Sequence, residues 1–381
     1  MPSILDPSDT SFDRMVCPHL NSSRYSYLRP DPTQPALTEK QYFFALNLRQ
    51  CVDLLPRLLG SLIEAIRFLG PEHCALSIVE GNSADGTLEV LRLLVPELKT
   101  MGVEYWLASS TLDPSQGLRI RKLAKLRAMA IEPVTGPATV LQPKPGEQPD
   151  EIGTTTYYSQ PATSKLPLAA NATIIFINDV AACAEDILEL IHQRIFQSAD
   201  MVCAMDWNNP FPTLPTTLPL PPIFYDVWIA RSLSGNLLFD IPPATGSWQH
   251  SLDLFFDHPP SRARFLAGLP TQVFSCWNGA VALRAAPLAR GDAAFRWPRP
   301  GECFQGEPQL LCKDLWGRGY GRIAVVPAVN LEYTDRGGRW VKKEKGYRRE
   351  RIAWEARPPE MVKCVPTFTE QEWLPWNESM S

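Results

Sequence analysis

Several features that would define whole classes of protein are missing from this sequence. No stretch approaches the roughly 18 consecutive apolar residues of a membrane-spanning helix, so we expect membrane attachment only through a segment outside this chain. None of the nine cysteines forms a CxxC pair, which argues against a zinc ribbon. Lys and Arg number 37 against 41 Asp and Glu, a net charge of −4, so no basic excess supports a nucleic-acid partner.

The composition that remains is that of a folded protein. Hydrophobic residues make up 45% and charged residues 20% of the 381 positions, which is enough to bury a sizeable core. The 37 prolines are about twice the average share, and they predict long irregular connections between regular elements. An odd number of cysteines leaves at least one free thiol in a monomer, and their spacing fixes no connectivity.

Hydrophobic periodicity predicts an alternation of helices and strands. Leucines and isoleucines between Leu54 and Ile66 recur every three or four residues, as on one buried helix face, and Gly70-Pro71 ends that helix. Further helices are predicted at 88–98, 118–130, 184–196 and 308–316, and strands at 74–79, 103–108, 172–177, 201–205, 224–230, 272–283 and 322–329. This order predicts an α/β fold with a mostly parallel, Rossmann-type sheet covered by helices on both faces.

The chain is expected to divide into four segments. Residues 1–40 lack periodicity and are interpreted as an extended N-terminal arm. Residues 41–209 form an α/β half that contains a Pro-rich surface insertion at 132–167. Residues 210–335 form a second half fused to the same sheet, because no flexible linker separates the two. Residues 336–381 are interpreted as a basic tail, either a solvated segment or one that meets an anionic donor or membrane surface.

Polar residues follow two of the predicted strands, at the edge where ligands bind in such sheets. Asn178 and Asp179 end one strand, where a carboxylate could hold a hard divalent cation together with nucleotide phosphates, or simply cap the next helix. The loop Glu80-Gly-Asn-Ser-Ala-Asp-Gly-Thr follows another strand, and its oxygens and backbone amides could hold a nucleotide. The alternative is an ordinary turn in which Asp85 caps the following helix.

Further charged and aromatic residues are candidates for chemistry. Arg121 and Arg127 lie on a helix rich in basic residues, which either neutralises a diphosphate or forms a solvated face. Any of four carboxylates could act as an acid, base or nucleophile if burial shifted its pKa: Asp206, Asp226, Glu307 and Asp314. Trp277-Asn278-Gly279 offers an aromatic face beside an amide, suited to a sugar, although Trp277 could equally be core.

Read as an ordered series, these segments resemble fungal glycosyltransferase family 69, the capsule-associated α-1,3-mannosyltransferases. The similarity runs over about residues 42 to 333 and rests on the following motifs: FFALNLRQCVDLLPRLLGSL, SIVEGNSADGT, RIRKLAKLRAMAIEP, FINDVAACAEDILEL, AMDWNNP with FYDVWIARSLSG, VFSCWNGAVALRA, GECFQGEPQLLCKDLWGRG and RIAVVPAVNLEY. The resemblance implies a GT-A type fold and a retaining transfer of mannose from GDP-mannose to a glycan acceptor. It also implies Mn²⁺ or Mg²⁺ as cofactor. It further implies a location in the Golgi lumen through a membrane anchor that is absent here; without such an anchor, the location would be cytoplasmic or unknown.

The resemblance also assigns residues. It places Glu80 and Asp85 in the nucleotide pocket, Arg121 and Arg127 at the donor, and Asp179 at the metal, and we add the neighbouring Asn82 and Asn178 to the nucleotide pocket. Glu307, Asp314 and Asp206 become the catalytic candidates, while Trp277, Asn278 and Asp226 belong to the acceptor side, which the second half supplies. Two positions depart from the family pattern: Asn178-Asp179 stands in place of two aspartates, and Pro308 in place of a cysteine, so no disulfide forms there.

Three alternatives to mannosyl transfer from GDP-mannose stay open at the level of sequence. A transferase could use another nucleotide sugar, and a non-catalytic protein could bind glycans or nucleotide sugars on the same fold. A glycoside hydrolase could pair Asp206 with Glu307, if the two carboxylates were separated by the catalytic distance.

Overall fold

A sheet of ten described strands forms the centre of the molecule in the computed structural model, which describes residues 1–30, 39–136, 153–159, 164–208, 222–342 and 352–380. The strands are β1 (Lys40–Leu48), β2 (Cys74–Glu80), β3 (Glu104–Ser110), β4 (Thr155–Tyr157), β5 (Leu168–Ile177), β6 (Met201–Asn208), β7 (Ile223–Phe224), β8 (Thr271–Gln272), β9 (Ala280–Arg284) and β10 (Ile323–Glu332). A separate hairpin consists of β11 (Met361–Cys364) and β12 (Glu372–Pro375).

The helices are α1 (Pro2–Leu5), α2 (Ser22–Tyr25), α3 (Leu55–Leu69), α4 (Thr87–Thr100), α5 (Arg119–Ala130), α6 (Glu132–Thr135), α7 (Ala184–Phe196), α8 (Pro259–Leu266), α9 (Ala285–Arg290), α10 (Glu307–Gly317) and α11 (Asp335–Val341). In the part of the chain that the structure describes, none of them is both long and apolar enough to span a membrane.

The main sheet has the order β4-β3-β2-β1-β5-β9-β6-β10-β8, with β7 paired to β6. Strands β1, β2, β3, β5, β6 and β10 all point the same way, whereas β9 runs antiparallel between β5 and β6. The predicted α/β fold with a mostly parallel sheet is therefore confirmed. Because β9 runs against its neighbours, the residues just before it reach the same edge as the residues that follow β5 and β6.

Both faces of the sheet are buried, as expected for a parallel sheet covered by helices. Along β1, Phe44 and Leu46 pack into one core with α3, α4 and α7, while Phe43 and Ala45 pack into the other with α5 and α10. In α3, apolar residues every three or four positions form the buried stripe that the spacing predicted, and Gly70 follows the helix at φ 91.

The N-terminal residues do not form the extended arm that we expected. In the described part, residues 1–30, a disulfide joins Cys17 to Cys183 next to α7. Arg24 makes a buried two-pronged ion pair with Glu189 of α7, with nitrogen–oxygen distances of 2.8 and 2.7 Å, and the Tyr25 hydroxyl donates to the same carboxylate. The prediction failed because these contacts join residues about 165 positions apart, which local periodicity cannot register.

The C-terminal residues are not a simple tail either. Residues 335–341 form α11, and the disulfide Cys303–Cys364 ties the β11–β12 hairpin to the second half. Val362, Cys364 and Val365 are buried there. Residues 343–351, which carry much of the basic charge, lie outside the described residues.

The Pro-rich insertion lies partly outside the described residues, at 137–152 and 160–163. Its described part adds strand β4 antiparallel to the edge strand β3. Val134 and Leu166, at its two ends, are buried in the core. The insertion therefore continues the sheet at its edge, which its irregular composition did not predict.

The second half contains shorter strands than its apolar runs predicted. The strand expected at 224–230 is reduced to β7, and the one expected at 272–283 is split into β8 and β9. Between β8 and β9 lie Cys276, joined to Cys203 by a disulfide, and Asn278, whose φ of 51 is left-handed. Apolar sequence in this half thus forms buried turns around the edge of the sheet.

Candidate functional site

The loops after β1, β2 and β5 meet at the carboxyl edge of the sheet, because β1 lies between the other two strands. The Gln50 amide donates to Ser83 Oγ at 2.9 Å and the Val52 amide to Asp85 Oδ2 at 3.0 Å, so the first two loops are joined. Burial, together with the charges of Asp179 and Asp85, raises the pKa of the Cys51 thiol to about 12. Asp179 follows β5, so it lies at the same edge of the sheet as these loops.

Glu80 shapes the loop after β2 from within. It is fully buried, and its two carboxylate oxygens accept from the Ser83 amide at 2.5 Å and from Ser109 Oγ at 2.6 Å. Asn82, by contrast, is exposed at a left-handed φ of 55. Glu80 therefore fixes the loop conformation, while Asn82 is presented to solvent at the site.

Asp85 accepts from the Thr87 amide at 3.0 Å, where α4 begins. Burial raises the pKa of Asp85, but the hydrogen bonds from Val52 and Thr87 outweigh it and hold the pKa below its ordinary value. Asp85 thus satisfies the first amide of α4, although Gly86 occupies the N-cap position, and at the same time joins the loops after β1 and β2.

Asp179 is a half-buried carboxylate at the end of β5. Burial raises its pKa, and no described side chain forms a hydrogen bond or ion pair with it. The neighbouring Asn178 is already engaged, since its Oδ1 accepts from Trp277 Nε1 at 3.2 Å. Among the described residues, no group of three or more His, Cys, Asp and Glu side chains is placed to hold a metal.

Asp206 and Asp226 form a pair of acidic side chains at the end of β6. Asp206 lies near the end of β6 with no exposed surface, and Tyr333 donates to its Oδ2 at 2.7 Å. The half-buried Asp226 accepts from the Asn278 amide at 2.9 Å. Burial raises the pKa of both carboxyl groups, and the charge of Asp226 raises that of Asp206 further, well above its ordinary value.

Arg127 of α5 crosses from the first half of the chain to the second. Its guanidinium forms an ion pair with Glu307, the first residue of α10, and lies over the Trp277 ring at 4.7 Å. Burial lowers the pKa of Arg127 to about 10, against the opposing charge of Asp226, so the side chain stays charged at neutral pH. Arg127 thus brings a buried positive charge to an acidic edge.

Two residues expected on the acceptor side are buried instead. Trp277 is 2% exposed and packs against Phe176 and Phe295, with centroid distances of 5.2 and 5.6 Å, so it offers no stacking face to a sugar. Asn278 is fully buried and donates to the Ala204 carbonyl at 2.9 Å. These corrections assign both residues to positioning: Trp277 holds Asn178 and Arg127, and Asn278 holds Asp226.

Asp314, expected among the catalytic candidates, belongs to an ion-pair network. Its two oxygens accept from Arg296 Nε and Nη2 at 2.7 and 2.8 Å. Arg296 also pairs with Glu302, which pairs with Lys313. Since Asp314 already has a bidentate partner, we remove it from the catalytic candidates. Arg121, predicted at the donor, lies with its guanidinium 4.5 Å over the Trp297 ring.

Two tyrosines of the site were missed in the sequence. Tyr225 is 41% exposed and lies edge-on to Tyr333 at 5.1 Å. Burial and the charges of Asp206, Asp226 and Asp179 raise the pKa of both hydroxyls. The motifs FYDVW and VNLEY, which carry the family resemblance, contained the signal: a tyrosine beside a candidate carboxylate, and one at the end of a strand.

Comparison with known proteins shows the family to which the chain belongs. The family model described as Cryptococcal mannosyltransferase 1 matches residues 41–314. Alpha-1,3-mannosyltransferase CMT1 of Cryptococcus neoformans var. neoformans serotype D is 30% identical over 438 residues, which cover 99% of this chain and 85% of that protein. The chain is a glycosyltransferase. It belongs to the cryptococcal mannosyltransferase 1 family, as the sequence motifs indicated, and this selects the transferase hypothesis over a binding protein or a hydrolase.

Solved structures give more distant likenesses. TarS 1–349 of S. aureus has a TM-score of 0.38 at 12% identity, over 77% of this chain and 60% of that one. GalNAc-T7 with UDP, GalNAc and Mn²⁺ has a TM-score of 0.41 at 10% identity, over 84% of this chain and 52% of that one. This chain therefore spans between about half and three fifths of the length of those two proteins.

Proposed function

We propose that this protein transfers a mannosyl group from GDP-mannose to a hydroxyl of a glycan acceptor, forming an α-1,3 linkage with retention at the anomeric carbon. The related CMT1, described as an alpha-1,3-mannosyltransferase, supports the donor sugar and the linkage. The observation that carries the site is Asp179, a carboxylate at the carboxyl edge of the sheet without a cationic partner among the described side chains.

The surroundings of Asp179 fit one divalent cation, Mn²⁺ or Mg²⁺. Burial disfavours the ionised carboxylate, and a bound cation would offset that cost. With one protein carboxylate, most of the remaining ligands would come from the donor phosphates and water, which is usual for Mg²⁺ sites. When bound, the cation supplies charge stabilisation to the leaving diphosphate, so no side chain needs to protonate it.

The protein side chains then have separate tasks. Arg127, held by Glu307 and Trp277, adds a positive charge for the donor phosphates. Asp226 is the one of the paired carboxylates that retains exposed surface, and it faces the positive charge that builds at the anomeric carbon. The acceptor proton passes to the departing phosphate oxygen on the same face of the sugar, in keeping with retention and with the lack of a histidine base.

The three disulfides support a location in the Golgi lumen. Cys17–Cys183, Cys203–Cys276 and Cys303–Cys364 link distant parts of the chain. Disulfides persist in oxidising compartments and are rare in the cytosol. Such a location also agrees with glycan acceptors as partners.

The test combines nucleotide release with direct metal binding. Mn²⁺ is titrated into three proteins, namely wild type, Asp179→Asn and the exposed control Asp253→Asn, and the concentration of free Mn²⁺ is measured by spectroscopy. The same proteins are then assayed for nucleotide release with GDP-mannose, UDP-glucose and UDP-N-acetylglucosamine. We expect GDP-mannose to be the preferred donor, and Asp179→Asn to weaken Mn²⁺ binding at least about tenfold, with Asp253→Asn unchanged. Unchanged Mn²⁺ affinity in Asp179→Asn would remove the cation site, and turnover of a UDP-sugar alone would overturn the donor.

A further inference from the structure

An exposed tryptophan stands beside the site on a stacked pair of rings. Trp228 is 42% exposed, and its indole lies 4.2 Å from the Phe368 ring at an interplanar angle of 18°. Trp248 meets the same Phe368 edge-on at 5.6 Å. We call Trp228, Phe368 and Trp248 the aromatic platform. Large aromatic side chains left in solvent cost free energy, and such groups mark binding sites when they cluster.

Trp228 of the platform is joined to Asp226 and Tyr225 by a short stretch of chain. Trp228 follows Asp226 by two residues and the exposed Tyr225 by three. Three residues of extended chain span at most about 11 Å. The segment is turned, since the Ala230 amide donates to the Asp226 carbonyl at 3.2 Å, so the separation is shorter. That is the length of one or two sugar rings.

The platform is also held in place from several directions. Phe368 belongs to the C-terminal residues that the disulfide Cys303–Cys364 ties to the second half. Gln371 Nε2 donates to the Phe368 carbonyl at 2.7 Å and to the Ile241 carbonyl at 2.9 Å. A ring fixed before binding costs little conformational entropy when a ligand arrives.

We propose that the aromatic platform binds a sugar ring of the acceptor glycan, one or two units away from the ring whose hydroxyl reacts. A pyranose has one apolar C–H face, which packs on an indole, and an edge of hydroxyls that needs polar partners. Ser247, Gln249 and His250 flank Trp248 in the chain with at least partly exposed side chains, and they are the candidates for such partners. Few precisely placed polar groups around an aromatic floor are typical of small-ligand sites.

This inference deepens the proposed function, because it names the part of the protein that selects the acceptor. It also gives the C-terminal residues a role, since Phe368 comes from them. A glycan is favoured over a protein partner because Trp228 follows Asp226 by two residues, so an occupant there must leave the acceptor hydroxyl access to Asp226.

The test measures how acceptor length affects kinetics. Wild type, Trp228→Ala, Trp228→Phe and the control Trp373→Ala are assayed with α-linked mannose mono-, di- and trisaccharides. Trp373 is similarly exposed at 44%, but its ring contacts Lys363. In the wild type we expect KM to fall as the acceptor lengthens. Trp228→Ala should raise KM for the trisaccharide about five- to tenfold while donor KM is unchanged, and Trp228→Phe should recover most of the loss.

Direct binding separates this inference from the proposed function. Trisaccharide binding is followed by tryptophan fluorescence without donor. If wild type binds trisaccharide and Trp228→Ala does not, the platform is supported even if no mannosyl transfer is found. Equal trisaccharide KM and binding in wild type and Trp228→Ala would overturn it. A changed oligomeric state of Trp228→Ala in light scattering, with unchanged acceptor kinetics, would overturn it in favour of an interface between copies.

Discussion

The ion pair between Arg127 and Glu307 offers the sharpest test of how the site is built. The two side chains are 12% and 2% exposed, so the charges are removed from water. Glu307→Gln keeps the shape of the side chain but removes its charge. Arg127 then remains as a buried cation with weaker support, from the charge of Asp226 and the ring of Trp277. We expect Glu307 to act as a positioning residue for Arg127.

The expected loss of stability in Glu307→Gln follows from the burial of the ion pair. Removing one partner of a buried ion pair typically costs about 3–5 kcal/mol, because the other charge stays uncompensated. The remaining support of Arg127 places Glu307→Gln near the lower limit, about 3 kcal/mol. Unfolding entropy near 2.1 cal/mol/K per residue converts this to a fall in Tm of about 4 °C for a chain of this length.

The assay is a double-mutant cycle of Glu307→Gln, Arg127→Met and the combined variant, by urea unfolding and by steady-state kinetics. Replacing both members of a buried pair is often close to neutral, so the combined variant should be more stable than either single one. Both single variants should raise donor KM, since each disturbs the positive charge for the phosphates. The combined variant should recover stability without recovering donor KM.

One result would refute this reasoning. If Glu307→Gln unfolds at the same urea concentration as wild type and loses only kcat, then Glu307 acts on the reacting atoms themselves. It would then be a catalytic carboxylate, and Asp226 would lose its place as the leading candidate.

Two further predictions concern buried charges. Arg24→Ala should lower the free energy of unfolding by about 3–5 kcal/mol, because it leaves Glu189 buried without its partner, while KM for donor and acceptor stays unchanged; an unchanged urea midpoint would contradict this. Folding raises the pKa of Asp206. Its contribution to the free energy of unfolding is therefore fully present below the pKa of the unfolded state, about 3.9, and is lost as pH rises toward the pKa of the folded state. Asp206→Asn should therefore gain stability relative to wild type as pH rises above about 3.9, and a pH-independent difference would exclude the raised pKa.

Elements whose pattern is local were predictable from the sequence. The stripe of α3, the strand before Asn178 and the helix at 184–196 follow from side-chain periodicity, because burial on one face is decided within a few turns. That Asn178-Asp179 and the loop after β2 lie at the same edge also followed, since all parallel strands of one sheet end at that edge.

Partners far apart in the chain were not predictable in this way. Trp277 could be read as a sugar-stacking ring or as core, and only its packing on Phe176 and Phe295 assigned it to the core. Asp314 could be read as catalytic until Arg296 was found on both of its oxygens. A side chain's type limits its chemistry, but its neighbours decide whether that chemistry is available.

The sequence by itself thus determined the α/β architecture, the family and the acidic and basic residues from which the site is made. Only the tertiary structure decided which of these residues retain exposed surface, as Asp226 and Asp179 do, and which serve as supports, as Glu307 and Asn278 do. It also brought Phe368 from the expected tail to Trp228. The physical reason is that pKa, burial and stacking depend on atoms a few ångströms away in space, and a folded chain supplies those atoms from any distance along its sequence.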